Sequence, residues 1–345
     1  QKDPPQTKNN TKVQESPTPP DVGKVQTVAE LRQQRKPTEW IINEFGASGN
    51  LVLLAADKGV GKTSFMYGAA NAIQTGGLFL GQLPTQKRNV LIWQADESIK
   101  NAVEKMEIVD MHGGVQFLFG EESYRQSLDI ERLDKRVHEN KIGAVFLDSM
   151  TTLLTGGEHS IKDPEFCAPL YALNRWAGLK NVLVVIAAHL RKSDDSKTTR
   201  KVTMDTIIGS GIQSAAASDI WLLWKPDVQT WTDHYVLECF GKRNCQEGTI
   251  WNLQGNADDY SFDLKSTKEG DILPQQRLEL KLEAQQVITT SEKQWHPKDL
   301  ASHLKANPEH VRRICRELLT EKEIEREYLP STGGRPSCVY CALRT

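Results

Sequence analysis

Long apolar segments are missing from this sequence of 345 residues, and so is any large excess of charge of one sign. No apolar run approaches the roughly 20 residues that a transmembrane helix needs, and no signal peptide opens the chain. We therefore expect no membrane partner and a cytoplasmic location. The formal net charge is -2. A charge this close to zero creates no overall field that attracts nucleic acid, so any such contact must come from local basic clusters.

Cysteine is also scarce for a disulfide-bonded protein. Six cysteines are scattered along the chain: Cys167, Cys239, Cys245, Cys315, Cys338 and Cys341. This pattern is typical of reduced thiols in a cytosolic protein and not of a disulfide framework. Cys338 and Cys341 form a CxxC pair, but no second ligand pair stands at zinc spacing. We interpret both as small apolar residues of a strand.

Large apolar side chains are nearly absent from residues 1–27, which are rich in Pro, Gln, Lys and Thr. Such a segment buries too little surface to offset the entropy that is lost when it becomes ordered. It is therefore predicted to be a disordered linker. The chain starts with Gln, which suits a piece of a longer polypeptide.

Between residues 28 and 253, apolar runs alternate with helical stretches. The continuous apolar runs lie at residues 51–56, 89–95, 115–119, 143–148 and 181–189. Such runs are typical of strands that are buried on both faces. Their alternation with helices predicts an α/β fold with a mostly parallel sheet and helices on both faces. Two further runs, 219–224 and 234–240, have no long helix between them and are expected to extend the sheet as antiparallel strands.

The C-terminal part of the chain has a different pattern. Residues 254–276 are polar and are predicted to be a linker. In residues 277–345, three helical stretches precede two strands that flank a Gly-Gly turn. This is the element order of a winged helix, in which residues 308–320 would form the recognition helix.

A phosphate-binding loop is the strongest motif. The segment ADKGVGKT, from Ala56 to Thr63, follows a buried strand and opens a helix, which is the context that such a loop requires. Backbone N–H groups would bind the phosphates, Lys62 would reach the β- and γ-phosphates, and Thr63 would ligate Mg²⁺. ATP and Mg²⁺ are therefore the predicted cofactors. The predicted nucleotide-binding residues are Asp57, Lys58, Gly59, Val60, Gly61, Lys62, Thr63 and Ser64.

Three other predicted strands end at ionisable residues. Asp148 ends the fourth strand and could hold Mg²⁺ through its water shell, as a Walker B residue does. Asp96 and Glu97 follow the second strand, and one of them could orient or deprotonate the attacking water. Adjacent strand residues point to opposite faces, so only one carboxylate is expected to face the γ-phosphate. His189 ends the fifth strand beside the loop and could sense that phosphate.

A basic pair follows the last long strand, in the segment GKRN. Lys242 and Arg243 suit a finger that enters the site of a neighbouring subunit and stabilises charge in the transition state. A solvated basic turn is the alternative.

Together these motifs resemble the hexameric, RecA-like ATPases of the plasmid RepA and DnaB helicase group, and most closely the RepA-type AAA_25 family. The resemblance covers about residues 28–250, and the order and spacing of the segments carry it. The segments are PTEWIINEF, LVLLAADKGVGKTSF, GGLFLGQLPTQKRNVLIWQADES, GAVFLDSMTTLL, VVIAAHLRK, GSGIQSAAASDIWLL and GKRN.

The resemblance implies a role for each matching position. Lys62 and Thr63 take the nucleotide and metal roles, and Asp148 takes the Walker B role. His189 matches the sensor of the γ-phosphate. One departure is Ala56, which stands where the loop usually has its first glycine.

The resemblance also implies a catalytic carboxylate and a finger that acts in trans. The catalytic glutamate of the family falls at Asp96 by strict register, and Glu97 stands next to it. We favour Glu97 because its side chain reaches further, with Asp96 as the alternative. Arg243, with Lys242 beside it, matches the finger.

Two basic clusters are candidate DNA contacts. The loop after His189 stands where RecA-like proteins carry DNA-contacting loops, and a solvated surface loop is the alternative. Its basic residues are Arg191, Lys192, Lys197, Arg200 and Lys201. The predicted winged helix is only weakly basic, so it is expected to bind either DNA or protein. Its candidate DNA contacts are Arg312, Arg313, Arg316 and Arg335.

These features imply an ATP-dependent DNA helicase or translocase. It would act as a homo-oligomeric ring, a hexamer, and couple ATP hydrolysis at subunit interfaces to movement on single-stranded DNA in replication. Two alternatives stay open. One is a regulatory or loader ATPase that binds DNA or a partner through its winged helix without unwinding, and the other is the ATPase half of a primase–helicase. A replication initiator or a primase would be the protein partner.

Overall fold

The computed structural model describes residues 25–34, 36–119, 128–154, 167–190, 211–226, 233–241, 249–267, 274–291, 293–328 and 338–343. Within these ranges, no helix is long and apolar enough to cross a membrane. The chain divides into two compact units, residues 1–37 and residues 38–345.

The described part of the first unit contains helix α1 (Val28–Gln34). The backbone N–H of Thr27 donates to Glu30 Oε2 at 2.7 Å, and the backbone N–H of Glu30 donates to Thr27 Oγ1 at 3.3 Å. This reciprocal pair is a capping box, which satisfies backbone donors that a helix start otherwise leaves unbonded.

The second unit contains the other helices and all the described strands. Its strands are β1 (Trp40–Ile42), β2 (Gly46–Ala47), β3 (Leu51–Ala56), β4 (Leu78–Phe79), β5 (Leu83–Pro84), β6 (Asn89–Gln94), β7 (Gln116–Phe119), β8 (Ile142–Asp148), β9 (Leu183–His189), β10 (Asp219–Trp224), β11 (His234–Gly241), β12 (Thr249–Gly255), β13 (Phe262–Thr267), β14 (Glu325–Tyr328) and β15 (Cys338–Cys341). Its helices are α2 (Lys62–Thr75), α3 (Ile99–Ile108), α4 (Ile130–Glu139), α5 (Met150–Leu154), α6 (Ala168–Lys180), α7 (Gly211–Ala216), α8 (Pro274–Thr290), α9 (Pro297–His303) and α10 (Pro308–Thr320).

A nine-stranded sheet organises this unit in the order β13-β12-β11-β10-β3-β9-β8-β6-β7. The strands from β10 to β7 are parallel, and β11, β12 and β13 continue the sheet as antiparallel strands. Apolar residues of α2 pack on one face, and those of α4, α5 and α6 pack on the other. The predicted fold class, an α/β fold with a mostly parallel sheet, is confirmed.

Strand β10 corrects one expectation. We expected residues 219–224 to be antiparallel, but β10 is parallel to β3, and β11 alone of the two strands is antiparallel. Polar groups fix this position, because the Ser218 N–H donates to Leu51 O at 2.7 Å and Asn50 Nδ2 donates to Asp219 Oδ2 at 2.8 Å. These buried bonds align the starts of β3 and β10.

The predicted linker at residues 254–276 is corrected by β13. This strand (Phe262–Thr267) pairs with β12 and extends the main sheet beyond residue 253. Leu264 is buried, whereas its neighbours Asp263 and Lys265 are exposed. Such alternation is typical of a strand with one buried face. The segment has no continuous apolar run, which is why the sequence pattern did not indicate a strand.

The C-terminal part of the second unit follows the predicted element order. Helices α8, α9 and α10 precede the antiparallel pair of β14 and β15. An isolated antiparallel bridge joins Trp295 to Tyr340 of β15, with N to O distances of 2.8 and 2.9 Å. These elements share an apolar cluster separate from the two clusters of the main sheet.

The described cysteines differ in state. Cys167, Cys315, Cys338 and Cys341 are free thiols, and the last two lie in β15 as expected. Cys239 is disulfide-bonded, which corrects the expectation that every cysteine is reduced. Sequence spacing could not reveal this bond, because it depends on which parts of the chain the fold brings together.

Candidate nucleotide-binding site

The predicted phosphate-binding loop lies between β3 and α2, at the carboxyl edge of the parallel strands. Gly59 and Gly61 have φ values of 81° and 95°, a conformation that glycine adopts without strain. Gly61 is also the N-cap of α2 and provides no side-chain hydrogen bond to the helix. The first backbone N–H groups of α2 therefore have no side-chain cap and are suitable donors for a phosphate.

Lys62 lies over this loop. Its Nζ donates to the backbone oxygen of Ala56 at 3.2 Å and to that of Asp57 at 3.0 Å. Burial lowers the pKa of Lys62, and the nearby carboxylates of Asp148 and Asp96 oppose this effect. The ammonium group is thus held at the loop by carbonyl oxygens that phosphate oxygens can replace.

Thr63 and Asp148 form the oxygen-rich side of the site. Thr63 Oγ1 donates to Asp148 Oδ2 at 2.7 Å, and the carboxylate of Asp148 is buried at the end of β8. Burial raises the pKa of this carboxyl group, and the hydrogen bond from Thr63 lowers it. Hydroxyl and carboxylate oxygens are the ligands that Mg²⁺ prefers, and Mg²⁺ takes few protein ligands beside substrate phosphates. The described residues include no cluster of three His, Cys, Asp or Glu side chains suited to a metal. The pair therefore fits a Mg²⁺ ion bound together with a nucleotide.

The sequence analysis missed a buried amide beside Asp148. Gln94 is fully buried, and the register of β6 and β8 places it opposite Asp148. Its Nε2 lies 3.3 Å from Asp148 Oδ2 and 3.4 Å from the Tyr67 hydroxyl, and its Oε1 accepts from the Asp96 N–H at 3.2 Å. The signal in the sequence was a glutamine at the end of an otherwise apolar strand.

The two carboxylates after β6 have different partners. Asp96 accepts a hydrogen bond from Thr152 Oγ1 and interacts electrostatically with the Lys62 ammonium group. Glu97 forms an ion pair with Lys105 of α3. Both carboxylates nevertheless act on Asp148, since each of them raises the pKa of that carboxyl group.

His189 stands directly beside the loop, because the register of β9 and β3 pairs it with Ala56. Burial lowers the pKa of this imidazole, the positive charge of Lys62 lowers it further, and Asp96 opposes both effects. The lowered pKa favours the neutral imidazole, in which one nitrogen donates and one accepts.

An aromatic side chain supports the back of the loop. A Cβ atom on Gly61 would lie 3.1 Å from the ring of Phe262, which belongs to the unexpected strand β13. The Phe262 ring also contacts the rings of Phe65 and Tyr235, with centroid distances of 5.6 and 5.0 Å. The loop backbone and β13 are thus in direct contact.

The remaining predicted site residues fall into two groups. Arg312, Arg313 and Arg316 lie on α10, where Arg312 donates to Glu309 Oε2 at 2.9 Å and Arg316 is exposed. The others lie outside the described residues: Arg191, Lys192, Lys197, Arg200, Lys201, Lys242, Arg243 and Arg335.

Comparison with known proteins identifies one family. A family model described as an AAA domain, AAA_25, matches residues 16–195, just over half of the chain. No curated protein matches this sequence. Among solved structures, the chain is similar to a KaiC-like protein from the hyperthermophilic archaeon Pyrococcus horikoshii OT3. That match has a TM-score of 0.48 and 12% identity, and it covers 67% of this chain and 100% of the other.

Proposed function

Because the chain belongs to the AAA_25 family and is a RecA-like P-loop ATPase, we propose that it is an ATP-dependent DNA helicase or translocase that works as a ring. The observation that carries the ATPase part is the meeting of Lys62, Thr63 and Asp148 at one edge of the sheet. The cation, the hydroxyl and the carboxylate stand beside uncapped helix N–H groups, as phosphoryl transfer requires.

In the proposed reaction, Lys62 exchanges the carbonyl oxygens of Ala56 and Asp57 for oxygens of the β- and γ-phosphates. The first N–H groups of α2 donate to the same phosphates. When bound, Mg²⁺ held by Thr63 and Asp148 would supply positive charge to the β- and γ-phosphate oxygens. The neutral imidazole of His189 donates to the γ-phosphate.

We assign the water-orienting carboxylate to Asp96 in preference to Glu97. Asp96 interacts with Lys62 and His189, which are the residues assigned to the γ-phosphate. Glu97 also acts on Asp148, but its carboxylate is paired with Lys105 of α3. A carboxylate near the γ-phosphate can orient the attacking water and accept its proton.

The ring is proposed to be a homo-hexamer with ATP between subunits. Arg243, with Lys242 beside it, would enter the site of the neighbouring subunit and stabilise the charge that develops during transfer. The basic residues after His189 would contact the backbone of single-stranded DNA inside the ring.

The C-terminal helices and strands are proposed to be a winged helix. Its three-helix order, its antiparallel pair and the bridge between Trp295 and Tyr340 support this assignment. Acidic residues of α10 are engaged by α8, since Glu317 pairs with Arg277 and Glu321 pairs with Lys281. Arg316 is exposed on the same helix and is proposed to contact DNA phosphates, whereas Arg312 pairs with Glu309.

The same module supports a second candidate function. A regulatory or loader ATPase would use its winged helix to bind duplex DNA, a replication initiator or a primase, and would hydrolyse ATP without unwinding. The element order of the C-terminal module favours this function as much as the first. The two candidates differ in a single measurable activity, which is strand displacement.

The test is strand displacement on a forked duplex with ATP and Mg²⁺, together with ATP turnover in the same samples. We expect the wild-type chain to hydrolyse ATP and to displace the strand. Lys62→Ala should fold and do neither, because the loop cation is lost. ATP turnover without displacement would overturn the helicase assignment and favour the loader. Near wild-type turnover by a folded Lys62→Ala chain would overturn the nucleotide site itself.

A further inference from the structure

We propose that Gln94 is a positioning residue that sets the distance between the metal-binding carboxylate of Asp148 and the water-orienting segment at Asp96, a role that rests on the ATP hydrolysis proposed above. One side-chain amide contacts both groups at once. Its Nε2 lies 3.3 Å from Asp148 Oδ2, and its Oε1 lies 3.2 Å from the backbone nitrogen of Asp96.

The chemistry of an amide suits this double contact. Its NH₂ group can donate to a carboxylate while its carbonyl oxygen accepts from a backbone N–H. A glutamate of the same shape would present an oxygen to Asp148 in place of a donor. An apolar side chain of the same length would leave both contacts unmade.

Burial gives these contacts their weight. Gln94, Asp148 and Tyr67 are all buried, so lost hydrogen bonds cannot be replaced by bulk water. Burial raises the pKa of Tyr67 to about 12, so its hydroxyl stays neutral and can accept from Gln94 Nε2. Tyr67 lies one helical turn after Thr63 on α2, and Thr63 donates to the same oxygen of Asp148. The amide is therefore fixed between α2, β8 and the segment after β6.

A second contact joins the same two strands. The Ala95 N–H donates to the backbone oxygen of Asp148 at 2.7 Å. The backbone thus fixes Ala95 to the end of β8, while the side chain of Gln94 fixes the next N–H along the chain. Both contacts orient Asp96 relative to Asp148, and the Gln94 contact can be removed by substitution.

A second buried glutamine that contacts the same strand provides a matched control. Gln74 of α2 is also buried, and its Oε1 accepts from the Val90 N–H at the start of β6 at 3.0 Å. Each substitution removes one hydrogen bond from a backbone N–H to a buried glutamine. Gln74→Met removes the bond to Val90 in β6, and Gln94→Met removes the bond to Asp96 after β6. Of the two glutamines, only Gln94 lies opposite Asp148, at the ends of β6 and β8.

The experiment compares the full-length wild type with Gln94→Met, Gln94→Glu and Gln74→Met. Three quantities are measured: melting temperature, dissociation constant for a fluorescent, non-hydrolysable ATP analogue with Mg²⁺, and kcat for ATP. We expect Gln94→Met and Gln94→Glu to bind the analogue within about threefold of the wild type and to lose at least about tenfold in kcat. Gln74→Met should lower the melting temperature by a similar amount and keep kcat within about twofold.

The outcomes separate this role from the proposed function. A wild type that binds no nucleotide and shows no turnover contradicts the ATPase, and the role of Gln94 falls with it. An active wild type with folded Gln94 variants at wild-type kcat overturns the positioning role alone. An equal loss of kcat in Gln74→Met and Gln94→Met also overturns the positioning role, because the loss would then follow from disturbing β6 at any point. If Gln94→Met does not fold, the isosteric Gln94→Glu decides by the same kcat criterion.

Discussion

Asp96 and Glu97 are the two candidates for the proposed water-orienting carboxylate, and they have different hydrogen-bond and ion-pair partners. Asp96 is held by Thr152, a residue of α5, and acts on the charges of Lys62 and His189. Glu97 pairs with Lys105. The longer side chain of Glu97 made it the favoured candidate from sequence, but reach alone does not decide where a carboxylate is oriented.

We expect Asp96→Asn to retain ATP binding and to lose at least about 100-fold in kcat, because the base that orients water is removed. Glu97→Gln keeps the shape of the side chain and should lose less than about fivefold. Steady-state turnover and analogue binding in both variants provide the measurement. A larger loss in Glu97→Gln than in Asp96→Asn would reverse the assignment.

His189 links the site to pH. Because burial and the charge of Lys62 lower its pKa, the folded state resists a proton that the unfolded state accepts. As pH falls below the ordinary histidine pKa of about 6.5, the unfolded state binds more protons than the folded state. The free energy of unfolding therefore decreases.

His189→Gln should remove this contribution. Melting temperatures of the wild type and of His189→Gln are compared at about pH 7.5 and about pH 5.5. Between these two pH values, we expect the melting temperature of the wild type to fall by roughly 1 °C or more beyond the fall in the variant. The two chains share every other titratable group, so the difference reports His189. Equal losses in both chains would show that His189 titrates alike in the folded and unfolded states.

The predictability of the site depends on the residue. Lys62, Thr63 and Asp148 could be named because a glycine-rich loop and a strand-end carboxylate have recognisable patterns. Their contact was then found at 2.7 Å between Thr63 and Asp148. Gln94 could not be named, because a lone amide has no pattern and its role depends on the register between β6 and β8.

Strand β13, which the sequence analysis missed, contacts the phosphate-binding loop. Its Phe262 ring lies against Gly61, the residue that starts α2. The backbone of a phosphate-binding loop must keep its N–H groups converging, so packing behind the loop affects how well phosphate is bound.

Phe262→Ala should weaken that support. We expect a loss of about 2 kcal/mol in the free energy of unfolding, since the ring is partly buried, and a rise in the KM for ATP of about threefold or more. Leu264→Ala is the control, because Leu264 is buried on the same strand and its backbone N–H donates to Leu80 O. Leu264→Ala should lower the free energy of unfolding by as much as Phe262→Ala does, and it should change the KM for ATP by less than twofold. An unchanged KM in Phe262→Ala would mean that the ring only fills space.

The same strand shows where sequence reasoning fails for whole elements. The buried strands β3, β6, β8 and β9 were located because their apolar runs are continuous. Strand β13 alternates apolar and polar residues over a short, polar stretch, so its pattern resembled a loop. The direction of β10 was misjudged because no long helix separates it from β11, which suggested two antiparallel strands, whereas tertiary contacts at Ser218 and Asp219 make β10 parallel to β3.

In the whole molecule, a single arginine joins the core to the C-terminal helices. Arg277 of α8 contacts Glu44, between β1 and β2, at 2.9 Å, and it also pairs with Glu317 of α10. Burial raises the pKa of Glu317. The nearby carboxylate of Glu44 also raises this pKa, whereas the positive charge of Arg277 lowers it. The guanidinium group thus separates two carboxylates that would otherwise repel each other.

Arg277→Ala should loosen this junction. We expect a fall of about 2 °C or more in melting temperature and faster hydrogen exchange in the backbone around Glu44. Lys281→Ala is the matched control, because Lys281 pairs with Glu321 between α8 and α10. It should leave exchange around Glu44 unchanged. Unaltered exchange in Arg277→Ala would show that apolar contacts alone hold the junction.

The central position of β3 has a consequence for how the protein is made. The strand that leads into the phosphate-binding loop lies between β9 and β10, and the bond between Asn50 and Asp219 joins residues 169 positions apart. A ribosome that releases the chain from its N-terminus exposes Leu51–Ala56 long before either partner strand has been synthesised. The apolar strand and its loop must therefore wait until β9 and β10 have been synthesised, and a nascent chain stalled before Asp219 presents an unpaired strand edge to chaperones and to other nascent chains.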